Sequence, residues 1–150
     1  MQLTSYTDYA LRLLLYAAVQ PGQKLSSVKE VSQAYNISYN HLTKVTQELG
    51  RHGLLETVKG RGGGFRLAVS PEQVTVGEVV RLTEDNSQYV ECFDDENNAC
   101  ILSPSCRLKG VLNEALQAYL AVLDRYTLAD ITVNGNILRE LLGMKEGQKR

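Results

Sequence analysis

Apolar positions recur at helical spacing through the first third of the chain. Leu3, Tyr6, Ala10, Leu13, Leu14 and Ala17 share one face of a helix predicted over residues 2–19, which Pro21 and Gly22 stop. Ser27 and Glu30 have capping-box spacing: the hydroxyl can accept one free N–H and the carboxylate another. They open a second, short helix with Val28, Val31 and Ala34 facing inward. Asn36 tolerates positive φ and is placed at the turn. Ser38 then caps a third helix over residues 39–51, with Leu42, Val45 and Leu49 on its buried side, and Gly53 ends it. After that the pattern changes. Residues 54–58 and 65–69 suit strands, and the glycine-rich stretch 59–64 between them makes a hairpin tip. Two short helices joined by a tight turn and followed by a basic hairpin predict a winged helix-turn-helix over residues 1–70.

Pro71 marks the exit into a connecting segment, 71–84, with a short helix over residues 76–83. Residues 85–106 lose all periodicity and form a loop long enough to imply a function of its own. The longest helix then runs from Cys106 to about residue 125. Leu108, Val111, Leu112, Ala115, Tyr119, Val122, Leu123 and Tyr126 make one continuous apolar stripe along it, suited to burial against a partner subunit. Thr127 and Asp130 form a second capping box for a short helix, so that 107–132 is one unit. The tail, 133–150, offers a turn or two of helix over residues 136–142 and a frayed polar end. The expected fold is mainly α with a small β-hairpin wing: a winged helix-turn-helix plus a long dimerisation helix.

Charge sharpens this picture. The whole chain of 150 residues carries a net −1, which is uninformative, but the two halves differ. Residues 1–70 hold eight Lys/Arg against four Asp/Glu, net +4; residues 71–150 hold eight against thirteen, net −5. Only the first half is suited to meeting phosphate. The chain opens on a polar, capped helix rather than a secretory signal, and no stretch is long and apolar enough to span a bilayer, so a cytoplasmic protein is expected. No cofactor motif, nucleophile–base pair or substrate domain points to an enzyme.

Affinity for DNA needs cations against phosphates, and specificity needs polar side chains at base edges. The third helix offers Ser38, Tyr39, Asn40, His41 and Lys44 near its start, away from the buried side. Asn40 is the best reader of a base, since its amide donates and accepts together against adenine, while Lys44 and Tyr39 suit phosphate. The hairpin adds Lys59, Arg61 and Arg66 around Gly62 and Gly63, where missing side chains let the backbone approach a groove and arginine can enter the minor groove. A phosphate-binding loop is excluded, because neither Lys-Ser/Thr nor a helix follows the glycines.

Cys92, Cys100 and Cys106 fall within 15 residues, beside a helix start, in a compartment where disulfides are disfavoured. Three thiolates from one loop suit an iron–sulfur cluster but leave it one ligand short. Zinc with a borrowed fourth ligand is the weaker reading, since close Cys-x₂₋₄-Cys pairs are absent. Buried free thiols are weaker still, because Asp94, Asp95, Asn97 and Asn98 make a poor core.

Residues 1–9, 38–44, 58–67, 101–108 and 123–130 together resemble the iron–sulfur Rrf-type family of bacterial regulators, and within it the nitric-oxide-sensing branch. The resemblance implies a homodimer joined by the long helix, through Leu108, Val111, Leu112, Ala115, Tyr119 and Val122. It implies a palindromic DNA operator, repression, and release on cluster nitrosylation. It also implies that Asp8 of the partner subunit completes the cluster held by Cys92, Cys100 and Cys106; by itself, Asp8 reads as a charge offsetting the dipole of the first helix. The cluster-assembly branch has a histidine three residues after the third cysteine, where this chain has Lys109, so [4Fe–4S] is favoured over [2Fe–2S]. Sensing of iron or cluster supply through the same site, or a purely structural zinc site, are the alternatives.

Overall fold

The computed structural model describes residues 2–145. Helix α1, Ser5–Ala18, starts three residues later than the periodicity predicts, because the Thr4 side chain takes the Thr7 N–H and makes Thr4 the N-cap. Helix α2, Val28–Tyr35, opens on the expected capping box, with the Glu30 N–H donating to Ser27 Oγ and the Ser27 N–H to Glu30 Oε2. It ends on Asn36 at φ 55°, the left-handed residue that turns the chain into α3, Tyr39–Arg51. Ala34 is exposed, contrary to the expected inward face, and Tyr35 turns inward instead, its hydroxyl donating to the Arg12 carbonyl at 2.8 Å.

Strands β1, Leu55–Val58, and β2, Gly64–Leu67, pair antiparallel, with Leu55 opposite Leu67 and Glu56 opposite Arg66. The wing is therefore shorter than predicted at its base. Phe65 alone continues the pairing outward, exchanging backbone hydrogen bonds with Ser26 at 2.8 Å in both directions. A Cβ at Gly64 would overlap the Ser26 carbonyl, and one at Gly63 the Val58 carbonyl. Close backbone approach within the fold itself thus accounts for both glycines.

Helix α4, Val76–Thr83, carries its own capping box from Thr75 and Glu78. Helix α5, Arg107–Leu123, is the longest, and α6, Gly135–Leu141, is the last. The Thr127–Asp130 box forms, but it heads only a 3₁₀ turn, Asp130–Thr132, rather than a helix. The expected frayed end beyond residue 145 lies outside the described residues.

Ala10, Leu13, Leu14, Val31, Leu42, Val45, Leu49, Phe65, Val79 and Leu128 form one core that joins α1, α2, α3, the wing and α4. Each of these buried Leu, Val and Phe side chains stabilises the fold by about 1.5–3 kcal/mol. A second cluster, Val80, Leu116 and Leu120, attaches α5 to α4. The expected single stripe on α5 is divided. Leu116, Tyr119, Leu120 and Leu123 face the chain's own core, whereas Leu108 (61% exposed), Val111 (60%) and Val122 (44%) lie open, with Ala115 beside them and Leu112 half-buried.

Candidate nucleic-acid interface and cysteine cleft

Burying Leu42, Val45, Thr46 and Leu49 turns the opposite face of α3 to solvent. Tyr39, Asn40, His41 and Lys44 are all exposed there, and Ser38 caps the helix through the His41 N–H at 3.5 Å. Gln47 lies one turn beyond Lys44 on the same exposed face as Asn40, and the sequence reading passed over it. Its signal was available: it follows Asn40 by two helical turns. His41 differs from its neighbours, because its ring stacks on Tyr9 of α1.

On the wing, Lys59, Arg61 and Gly62 are exposed, and no ion pair involves Lys59 or Arg61 among the described residues. Arg66 is committed elsewhere. Its Nε donates to Glu56 Oε2 at 3.0 Å across the hairpin. The hydrogen bond and charge of Arg66 hold the Glu56 carboxyl below the usual range, and Glu56 in turn raises the Arg66 pKa. The pair with Glu56 occupies Nε and one Nη2 N–H of Arg66 and offsets its charge, which weakens it as a partner for phosphate.

The loop between α4 and α5 is ordered by its own acidic and amide side chains. Asp85 accepts from the Ser87 N–H and hydroxyl, and Asp94 from the Glu96 and Asn97 N–H groups. Glu91 accepts from the Ala99 N–H, and Asn98 from the Cys100 N–H. Bonding from Asn97 first, and from the backbone, holds the Asp94 carboxyl low; the Ser87 hydroxyl leads the same effect at Asp85. Asp85 caps the first of three 3₁₀ turns, Asn86–Gln88, Glu91–Phe93 and Ser103–Ser105, that stand where the sequence shows only an absence of period.

Cys92 and Cys106 line one open cleft of about 580 Å³, with Asn86, Phe93, Asp95 and Lys109 around them. Cys106 is also the N-cap of α5, whose first N–H groups no side chain caps. That end of a helix favours an anionic group, such as iron held by thiolates. Cys100 is exposed and does not line the cleft. All three thiols are free, so the donor set suits a thiophilic iron centre, although no metal-holding group of three His, Cys, Asp or Glu forms among the described residues. Asp8 lies on α1 and pairs with Arg12 Nε at 3.0 Å, each side chain nearly half exposed.

Residues 3–134 match the profile of the Rrf2 family, described as iron-dependent transcriptional regulators. The chain belongs to the Rrf2 family. It is 66% identical over 145 residues to the HTH-type transcriptional regulator NsrR of Shouchella clausii, covering 97% of each chain. It is equally identical, also over 145 residues, to that of Halalkalibacterium halodurans, covering 97% of this chain and 99% of the other. Oxidised CymR from Staphylococcus aureus superposes with a TM-score of 0.71 at 26% identity, over 89% of this chain and 97% of that one. These Rrf2 relatives are regulators of transcription rather than enzymes, and the winged helix described above is the element through which a regulator of this kind meets DNA. No helix among the described residues is long and apolar enough to cross a membrane.

Proposed function

We propose that this Rrf2 protein is a cytoplasmic iron–sulfur repressor that senses nitric oxide and then releases a palindromic operator. The observation that carries the reading is the meeting of Cys92 and Cys106 at one cleft beside the amino end of α5. The iron-dependent family and the high identity to relatives named NsrR support it.

Cys92 and Cys106 would hold the cluster at the cleft, Cys100 would turn in from its exposed position in the loop to join them, and Asp8 of the partner subunit would complete the set. When bound, the cluster supplies iron that a small diatomic ligand can reach, with [4Fe–4S] preferred over [2Fe–2S]. To serve as a ligand, Asp8 exchanges its ion pair with Arg12. Because that pair is half exposed, giving it up costs only about 0–1 kcal/mol. The open face of α5 (Leu108, Val111 and Val122, with Leu112, Ala115 and Tyr119 beside it) joins two copies. Residues 1–70 then form two reading heads, and residues 71–84, 85–106 and 107–132 connect, sense and dimerise. Each α3 enters one of two successive major grooves, about 34–36 Å apart, with Asn40 at a base and Ser38, Tyr39, His41 and Lys44 around it. Lys59, Arg61, Gly62, Gly63 and Arg66 bring the wing to the flanking backbone.

Titrating anaerobically isolated protein with nitric oxide, while following visible absorption and operator binding, tests this. Coloured protein that loses operator affinity is expected; colourless zinc protein, or full affinity after stoichiometric nitric oxide, overturns it. The family's description as iron-dependent favours a second reading, the sensing of iron or cluster supply. Protein stripped of its cluster without nitric oxide, together with a holo form indifferent to the gas, separates the two.

A further inference from the structure

The end of α4 and the beginning of α1 meet at one carboxylate. Glu84 closes α4, its N–H donating to the Val80 carbonyl at 2.9 Å, and its extended backbone sends the chain into the cysteine loop. The side chain turns back to α1. Glu84 Oε1 accepts the Thr4 N–H at 2.7 Å, the Thr4 hydroxyl at 2.8 Å and the Thr7 hydroxyl at 2.5 Å. Thr7 is fully buried. The Thr83 hydroxyl donates its own proton to the Val79 carbonyl and so can only accept from Thr7, at 2.8 Å; the single Thr7 proton lies between it and Glu84, whose charged oxygen at 2.5 Å is the nearer and stronger acceptor. Three donors on one ionised oxygen, at the positive end of a helix, make a charge-assisted contact of the strong kind.

Helix α4 is also tied to the segment that ends α5. At its start the Val76 N–H donates to the Tyr126 carbonyl at 2.8 Å and a Cβ at Gly77 would overlap the Asp124 carboxylate; from its last turn Arg81 Nη2 reaches back to Asp124 Oδ2 at 2.8 Å. Helix α4 therefore lies between the reading head and α5, with Val79 packed on the one and Val80 on the other. Thr4 alone would cap α1. The Glu84 contact adds a tie between α1 and the residue where the cysteine loop departs.

We propose that Glu84 is a positioning residue for operator binding: it clamps the first turn of α1 to the start of residues 85–106, so that a change in the loop reaches the winged helix through α1. The inference rests on the reading of that loop as the sensing segment.

The test compares Glu84→Ala, Glu84→Gln and Thr7→Val in the full chain. Amide hydrogen exchange is read at residues 4–8 and 85–92, and operator affinity before and after nitric oxide. In Glu84→Ala, exchange rises at both segments, cluster absorption is unchanged, and the change in operator affinity caused by nitric oxide shrinks by about tenfold, within the range of ordinary coupling between sites. Glu84→Gln restores both, because its amide oxygen accepts the same donors. Thr7→Val, nearly isosteric, gives a smaller effect that does not add to that of Glu84→Ala.

Unchanged exchange at residues 4–8 in Glu84→Ala overturns the clamp, as does a full-sized nitric oxide response where exchange has risen. A wild-type chain indifferent to nitric oxide defeats the sensing reading. The clamp is then decided by whether exchange at residues 4–8 and 85–92 rises together and operator affinity falls in Glu84→Ala. Should that variant not fold, the contrast between Glu84→Gln and Thr7→Val decides it in the same way.

Discussion

The ring of Tyr9 in α1 stacks on the ring of His41 in α3, with centroids 6.3 Å apart and planes 24° from parallel. Tyr9 follows Asp8 directly, so the turn of α1 that carries the proposed fourth ligand also touches the recognition helix. Arg12, one turn on, pairs with Asp8 and lies 5.8 Å from the ring centre of Tyr35 in α2. Burial pushes the Tyr35 phenol up to about 12 against the opposing influence of Arg12, so it remains a hydrogen-bond donor throughout the physiological range. Both helices of the helix-turn-helix are thus in contact with the surroundings of Asp8.

A double-mutant cycle of Tyr9→Ala and His41→Ala, read by denaturant unfolding, should return a coupling of about 0.5–1.5 kcal/mol. Zero coupling would mean that the rings are merely adjacent.

Asn40→Ala should cost about 1–3 kcal/mol on the operator and much less on random DNA, measured by competition binding. Lys59→Ala and Arg61→Ala should weaken both DNAs alike and each lower the salt slope by about 1. Glu56→Gln should strengthen binding to both, since it frees Arg66 and removes a carboxylate from the wing.

Replacing Cys92, Cys100 or Cys106 singly by serine should abolish the visible absorption of anaerobically isolated protein, with the thermal midpoint of the winged helix little changed. Asp8→Ala should retain cysteine-held iron but lose it faster to a chelator. Equal retention would place the fourth ligand elsewhere.

Burial pushes the Glu84 carboxyl up, but hydrogen bonds from the Thr7 hydroxyl, the Thr4 N–H and the Thr4 hydroxyl outweigh it and hold the pKa below the ordinary 4.5. A group whose folded pKa is depressed stabilises the fold above its unfolded pKa, and that contribution is lost as pH falls through the folded value. The wild-type thermal midpoint should therefore fall more steeply than that of Glu84→Gln below about pH 4.5. Parallel curves would show that the carboxylate is not specifically stabilised.

The sequence by itself determined the features that depend on neighbours along the chain. The Ser27–Glu30 box, the left-handed Asn36, the buried Leu42, Val45 and Leu49, and the basic wing tip all formed where local spacing puts them, because caps, turns and helix faces are made within a few residues. Cysteine spacing and the charge split were legible for the same reason, and they pointed to the candidate site. Tertiary structure decided which of several locally equal options found a partner. Whether Ala34 or Tyr35 turns inward depends on where α1 lies, and which part of the α5 stripe is buried depends on where α4 lies. The commitment of Arg66 to Glu56 follows from strand register, and the meeting of Cys92 with Cys106 at one cleft follows from the path of the loop. The contact of Glu84 with Thr4 and Thr7 had no signal at all in the sequence, since it spans some eighty residues and uses side chains that local pattern assigns only to helix ends.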